Sequence, residues 1–247
     1  MKEATFLMEP KYKKIEKYFI DQINSGNYKI GDQLPPEKKI ANETGYSRMT
    51  INKALSNLEK KGYITRISGR GTFVKAKKTI RMVNDDSSIF DLIQNQEMKS
   101  SSTLLSYERI NSYDNVFLKD GLELSESAQI HHIVRLREAN DEPVALTDDY
   151  LIADLIENID LNLLNQSLYA YLTRLKLPII RNYVEINAVK ASEEQIKLLK
   201  LSDNFLLKTV ASVDTITNNN NRKRLGLLCS YYNPNMYTYR FSDNDYE

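Results

Sequence analysis

The stretch LPPEKKIANETGYSRMTINKALSNLEKKGYITRISGRGTFV, Leu34 to Val74, decides how the first third of the chain folds. The pair Pro35-Pro36 opens a helix over about 37–44, since proline is tolerated in a first turn. Ile40 and Ala41 point inward there, and Gly45 ends it. Ser47 is a good N-cap for a helix running to about 61, with Ile51, Ala54, Leu55 and Leu58 on one face and Gly62 at its end. Two short extended runs, 63–67 and 72–75, flank Ser68-Gly69-Arg70-Gly71, a hairpin signal. Upstream, KYKKIEKYFIDQINS (11–25) places Tyr12, Ile15, Phe19 and Ile23 on one helical face, and Gly26 stops it. Three helices and a two-stranded wing spell a winged helix-turn-helix, whose third helix enters the DNA major groove.

Charge supports that reading. The chain has 247 residues and a formal charge of +1, but residues 1–78 hold 17 Lys/Arg against 8 Asp/Glu, and the remainder 17 against 25. A basic head on an acidic body suggests a nucleic-acid-facing module joined to something else. No apolar run approaches the roughly 20 residues that a bilayer span needs, and the first ten residues lack the apolar core of a secretory signal. Cys229 is the only cysteine, so no internal disulfide forms, and a cytoplasmic location is expected. One cysteine and the adjacent His131 and His132 cannot supply a tetrahedral zinc site. No metal and no cofactor is expected.

The quoted segment resembles the GntR family of bacterial transcription regulators. Leu34, Pro35, Glu37, Ser47, Arg48, Thr50, Ala54, Leu55, Gly62, Gly69, Gly71, Thr72, Phe73 and Val74 follow its pattern in order. The resemblance implies DNA contacts from Lys38, Ser47, Arg48, Thr50, Asn52, Gly69 and Arg70. Arg48, in the first turn of the third helix, suits guanine O6 and N7. Thr50 and Asn52 reach bases or phosphates nearby. The family usually has Arg at position 52; Asn prefers adenine. Lys38 stands where the family often has Arg and contacts phosphate without bidentate geometry. Gly69 lets the wing backbone approach DNA, and Arg70 enters the minor groove or grips phosphate.

Beyond a polar stretch at 76–88, which reads as a linker, the periodicity changes. Ser88-x-x-Asp91 caps a short helix through Met98. Extended runs are expected at about 103–113, 129–138, 143–150, 179–190, 205–216 and 224–233, and helices at about 151–158, 168–176 and 192–200. This describes an α+β domain on an antiparallel sheet. Asn218 to Asn221 reads as a hairpin loop, and the tail SDNDYE as frayed. The expected organisation is a winged helix-turn-helix over 1–75, a linker over 76–88 and a second domain over 89–247.

The second domain resembles the UTRA effector domain of the HutC subfamily. The resemblance rests on Ser88-Ile89-Phe90, Val134-Arg135-Leu136-Arg137, Glu142-Pro143-Val144-Ala145-Leu146, Tyr150, Ser167-Leu168-Tyr169, Tyr231-Tyr232 and Tyr239-Arg240-Phe241. It implies a chorismate lyase-like fold that binds a small molecule and dimerises. Alternation puts Arg135 and Arg137 on one strand face, about 7 Å apart. Ser167 starts a helix, whose hydroxyl and amides suit an anion. In sugar-phosphate-responsive members the matching arginines and serine hold the phosphate. The effector contacts so implied are Ser88, Ile89, Phe90, Arg135, Arg137, Thr147, Ser167, Tyr169 and Tyr231. A plainer reading of the arginines is a structural pair bridged to Glu138 or Asp149. Thr147-Asp148-Asp149-Tyr150 departs from the usual Glu-Thr-Ser-Tyr, and Gly226 replaces a common glutamate.

The expected function is a repressor of carbohydrate uptake or catabolism genes. It binds double-stranded operator DNA as a homodimer and answers to a phosphorylated metabolite such as a sugar phosphate. Alternatives are a relative answering to a non-sugar ligand, a winged-helix plasmid replication or partition protein, or an enzyme of chorismate lyase-like fold with a DNA-binding head. Against the enzyme, the histidines fall on opposite faces of one strand, and Cys229 sits in an apolar run.

Overall fold

A computed structural model describes residues 9–82, 85–113, 115–124, 127–217 and 219–241. The chain divides into two units, Met1–Lys78 and Thr79–Glu247. In the first, α1 (Lys11–Asn24), α2 (Glu37–Thr44) and α3 (Arg48–Lys60) precede an antiparallel hairpin of β1 (Ile64–Ile67) and β2 (Gly71–Val74). The expected helical faces meet in one core of Ile15, Phe19, Ile23, Ile40, Ile51, Ala54, Leu55 and Leu58, closed by Tyr63, Ile64 and Val74 from the wing. Gly45 ends α2 in the left-handed conformation, at φ +70°. The Ser47 hydroxyl accepts the Thr50 amide at 3.2 Å and caps α3. Within the core wall, Glu16 is buried and accepts from Asn57 Nδ2 at 2.6 Å, which ties α1 to α3.

The second unit contains β3 (Thr79–Met82), α4 (Ile89–Asn95), β4 (Ser100–Asn111), α5 (Val116–Gly121), β5 (Gln129–Ala139), β6 (Glu142–Ile152), α6 (Leu168–Arg174), β7 (Ile180–Lys190), α7 (Glu193–Leu198), β8 (Phe205–Ile216), β9 (Arg222–Tyr232) and β10 (Tyr237–Arg240). Six strands form an antiparallel sheet in the order β4-β5-β6-β9-β8-β7. β5 and β6 join through Asn140-Asp141, both at positive φ, as a tight two-residue hairpin requires. Both sheet faces are covered. On one, Ile133, Leu151, Val213 and Leu228 pack with Leu168 and Leu172 of α6. On the other, Leu146 and Leu206 pack with Leu199 beside α7, and Leu118 of α5 packs with Ile130 and Leu227.

The structure departs from the sequence reading at three places. Thr79–Met82, inside the stretch read as a linker, is a strand paired in parallel with β10 at the far end of the chain. Local composition carries no sign of a partner so distant. The helix expected at 151–158 is replaced by the end of β6 and a single 3-10 turn, Ala153–Leu155, because strand alternation continues through Leu151. Helix α5, capped by Asn115, was not anticipated. Position 218 and the tail after 241 lie outside the described residues, so the loop and fraying readings there are not addressed.

Gly226 has a packing explanation: a Cβ built there would lie 2.1 Å from the Tyr150 carbonyl oxygen on β6. It does not line the cavity described below. Gly226→Ala is expected to lower stability by about 1–3 kcal/mol through overpacking, read as a lower urea midpoint at unchanged slope.

Candidate functional site

Two candidate sites follow from this framework, one on each unit. On the first unit, Lys38 lies in the first turn of α2, Arg48 and Thr50 in the first turn of α3, Asn52 one turn further, and Gly69 and Arg70 at the wing tip. Lys38, Ser47, Arg48, Asn52, Gly69 and Arg70 are exposed and Thr50 is half-buried. Ser47 and Thr50 also pair through their hydroxyls at 2.9 Å. The wing is held from below: Gln33 Nε2 donates to the Arg70 carbonyl at 3.0 Å. Two further residues join this face. Arg66 of β1 donates to the Asn52 carbonyl at 3.2 Å and reaches Glu37 at 3.5 Å, bracing the wing against α2 and α3. Met49 is 85% exposed in the first turn of α3, an apolar group of the kind that meets a thymine methyl.

On the second unit, strand alternation places Arg135 and Arg137 on the α6 side of β5, where they are 3% and 1% exposed. They border a cavity whose wall also includes Ser88, Ile89, Thr147, Asp149, Tyr169 and Tyr232. Arg135 donates to Asp149 Oδ2 at 2.7 Å, the bridge anticipated as the plainer reading. Arg137 has no carboxylate partner among the ion pairs of the described residues; it donates to Ser102 Oγ at 3.0 Å and the Gln166 carbonyl at 3.3 Å. Burial, then the neighbouring Arg135, pushes its guanidinium down to about 9. Burial raises Asp149, with Arg135 opposing. The Nε atoms of both arginines and the Thr147 hydroxyl are buried without a hydrogen-bond partner.

The other expected contacts divide. Ser88, Ile89, Thr147 and Tyr169 line the cavity. Ser167 stands behind it, its hydroxyl accepting the Ala170 amide as a helix cap and donating to Ser88 Oγ at 3.0 Å. Phe90 also stands behind, its ring 5.6 Å from the Arg137 guanidinium carbon. Tyr231 is misplaced in the expectation. On β9, Ser230 and Tyr232 face the cavity, so period two turns Tyr231 to the opposite sheet face. Arg81, Arg181 and Tyr239 line the cavity unanticipated. Arg81 lay in the presumed linker, and Arg181 and Tyr239 stand on strands whose neighbours only the fold defines.

The groups weighed for enzyme chemistry are separated. His131 is buried between Tyr107 and the Ile156 carbonyl. His132, on the other face, bonds Asp148 at 2.6 Å. Burial pushes the Cys229 thiol far above its ordinary range, so it stays protonated. Among the described residues, no helix is long and apolar enough to cross a membrane.

Comparison with known proteins identifies both domains. Residues 11–74 match the family "Bacterial regulatory proteins, gntR family", and residues 95–238 match the UTRA domain. The chain belongs to the GntR family of bacterial transcription regulators, in the HutC branch that carries a UTRA domain. It is 31% identical over 191 residues to the HTH-type transcriptional repressor NagR of Bacillus subtilis, covering 77% of this chain and 78% of that one. It is 28% identical to a histidine utilization repressor of Pseudomonas putida, covering 78% and 77%. The fold is similar to that of PhnF from Mycobacterium smegmatis, with a TM-score of 0.65 at 22% identity over 92% of this chain and 97% of that one.

The Asp148 hydrogen bond raises the His132 pKa, against burial. Its contribution to stability is therefore complete below the unfolded value near 6.5 and is lost as pH rises through the folded value. Urea unfolding of wild type and His132→Gln from pH 5 to 9 is expected to show a gap that narrows with rising pH.

Proposed function

We propose that the protein is a homodimeric repressor of carbohydrate uptake or catabolism genes, released from or locked on its operator by a small phosphorylated metabolite. The observation that carries the effector reading is Arg137, a buried cation with no carboxylate ion-pair partner among the described residues, lining the same cavity as Arg135. A buried charge is costly unless paired, and a phosphate dianion supplies the missing partner through charge-assisted bonds. Ser88 and Thr147 offer hydroxyls in the same wall. Relatives described as repressors of mannosyl-D-glycerate transport and metabolism and of histidine utilization support control of catabolic genes. The histidine relatives also favour the second reading, a non-sugar effector.

The operator reading rests on the exposed row of Lys38, Arg48, Asn52 and Arg70 and on the basic charge of the first 78 residues. One recognition helix per chain calls for two chains on a pseudo-palindrome, with half-sites about one helical turn apart. The connection between units supports coupling. Arg81 lines the cavity and stands three residues beyond Lys78, where the first unit ends. A ligand that shifts β3 acts directly on the chain entering the DNA-binding unit, a population shift between two arrangements of the heads.

Arg48→Ala is expected to weaken operator binding by about 1–3 kcal/mol and to relax base choice at one position. Lys38→Ala is expected to weaken specific and random DNA alike. Gel-shift titrations over a salt series separate the two, and wild-type affinity in Arg48→Ala overturns the recognition-helix assignment.

Arg137→Met is the sharper effector test, because Arg135→Ala strips Asp149 of its partner. Removing Arg137 orphans no charge, so thermal stability is expected to hold or rise while operator binding loses its response to the effector. Equal responses in variant and wild type place the anion elsewhere.

A further inference from the structure

The cavity carries two further cations that no expectation accounts for. Arg81 on β3 and Arg181 on β7 line it beside Tyr169, Tyr232 and Tyr239. The sheet order places β5 and β7 four inter-strand steps apart, about 19 Å at the backbone. Arg181 and the β5 pair therefore enter the cavity from strands well apart in the sheet. Four arginines and one aspartate line the cavity, a formal +3.

The acidic partners of the second pair do not cancel it from within. Asp86 meets Arg181 at 3.2 Å, but its side chain is 85% exposed, where water screens a pair to little net worth. Asp85 is 3.9 Å from Arg81 and is engaged with the Ser87 amide and hydroxyl. Neither lines the cavity. Arg81 is held rigidly by Tyr237 Oη at 2.6 Å and the carbonyls of Asp85 and Ser87 at 2.7 and 2.9 Å. Arg181 is bound by the Tyr169 hydroxyl. Guanidinium groups so held present donors suited to a carboxylate.

We propose that the effector is a phosphorylated carboxylic acid, with its phosphate on Arg135 and Arg137 and its carboxylate on Arg81 and Arg181. The proposal rests on the phosphate reading given above. Charge count selects this class. A phosphate near −2 and a carboxylate at −1 neutralise the formal +3, whereas a plain sugar phosphate leaves one charge unmatched and a bisphosphate exceeds it. The Thr209, Ser230 and Tyr232 hydroxyls lining the same cavity suit a hydroxylated chain.

The test is calorimetric titration of the full-length protein with matched pairs: gluconate 6-phosphate against glucose 6-phosphate, and glycerate 3-phosphate against glycerol 3-phosphate. Gluconate and glycerate serve as phosphate-free controls and fructose 1,6-bisphosphate as the two-phosphate arm. In at least one pair the acid is expected to bind at least tenfold more tightly than its neutral partner. Arg181→Met is expected to erase that advantage and Arg181→Lys to keep only part of it, while Arg137→Met weakens both members of the pair. A neutral partner or the bisphosphate that binds as tightly as the acid overturns the carboxylate assignment; sensitivity to Arg137→Met then leaves the phosphate reading standing. An acid advantage that survives Arg181→Met also overturns it. If the phosphorylated compounds bind no better than gluconate and glycerate, or bind independently of Arg137, the phosphate reading falls and the proposal with it.

Discussion

Two buried guanidinium groups on one strand face, with a single carboxylate bonded to one of them, set the constraint around which the second unit is arranged. Arg135 and Arg137 occupy positions that the alternation of β5 assigns to the interior, next to Ile133. Asp149, on β6 opposite Ile133 and so diagonal to Arg135, neutralises that arginine. The other is held by neutral acceptors alone, Ser102 and the Gln166 carbonyl. Replacing a buried ionic group by an apolar one often stabilises a protein, so this arrangement is a poor way to secure a sheet. It is a good way to hold a binding site in readiness, because the donors are oriented before any anion arrives.

The same sheet divides its labour between faces. One face carries the cavity and its arginines; the other carries His132, Asp148, Cys229 and Tyr231 within ordinary packing. A one-residue slip exchanges the two sets entirely. Register is therefore held firmly, by the tight turn at Asn140-Asp141 and by the close approach of Gly226 to Tyr150.

The first unit is built on a contrasting economy. Twelve buried residues form one small core, and its polar exterior presents α2, the start of α3 and the wing together. Arg66 serves that geometry by fastening Asn52 and Glu37 to the wing root. In a unit of this size, each such brace limits how far the presumed DNA-contacting residues wander relative to one another.

By itself, the sequence determined most of what depends on near neighbours, α5 and the end of β6 excepted. Helical period, caps at Ser47, Ser88, Ser167 and Ser192, turn glycines and strand alternation are local, and the structure realises them. The Ser-Arg-x-Thr and Arg-x-Arg patterns were legible for the same reason. The tertiary structure decided what depends on partners distant along the chain. Thr79–Met82 is a strand because β10 lies beside it, and Arg81 thereby becomes part of a cavity wall rather than of a tether. Tyr231 and Tyr232 are equivalent as letters, and the pairing of β9 with β6 and β8 chose which of them faces the cavity. Arg135 was neutralised and Arg137 left without a carboxylate because, among the described residues, one aspartate comes within ion-pair reach, and of Arg135 alone. Coulombic and hydrogen-bonding partners are set by distance in space, and spacing along the chain does not encode it.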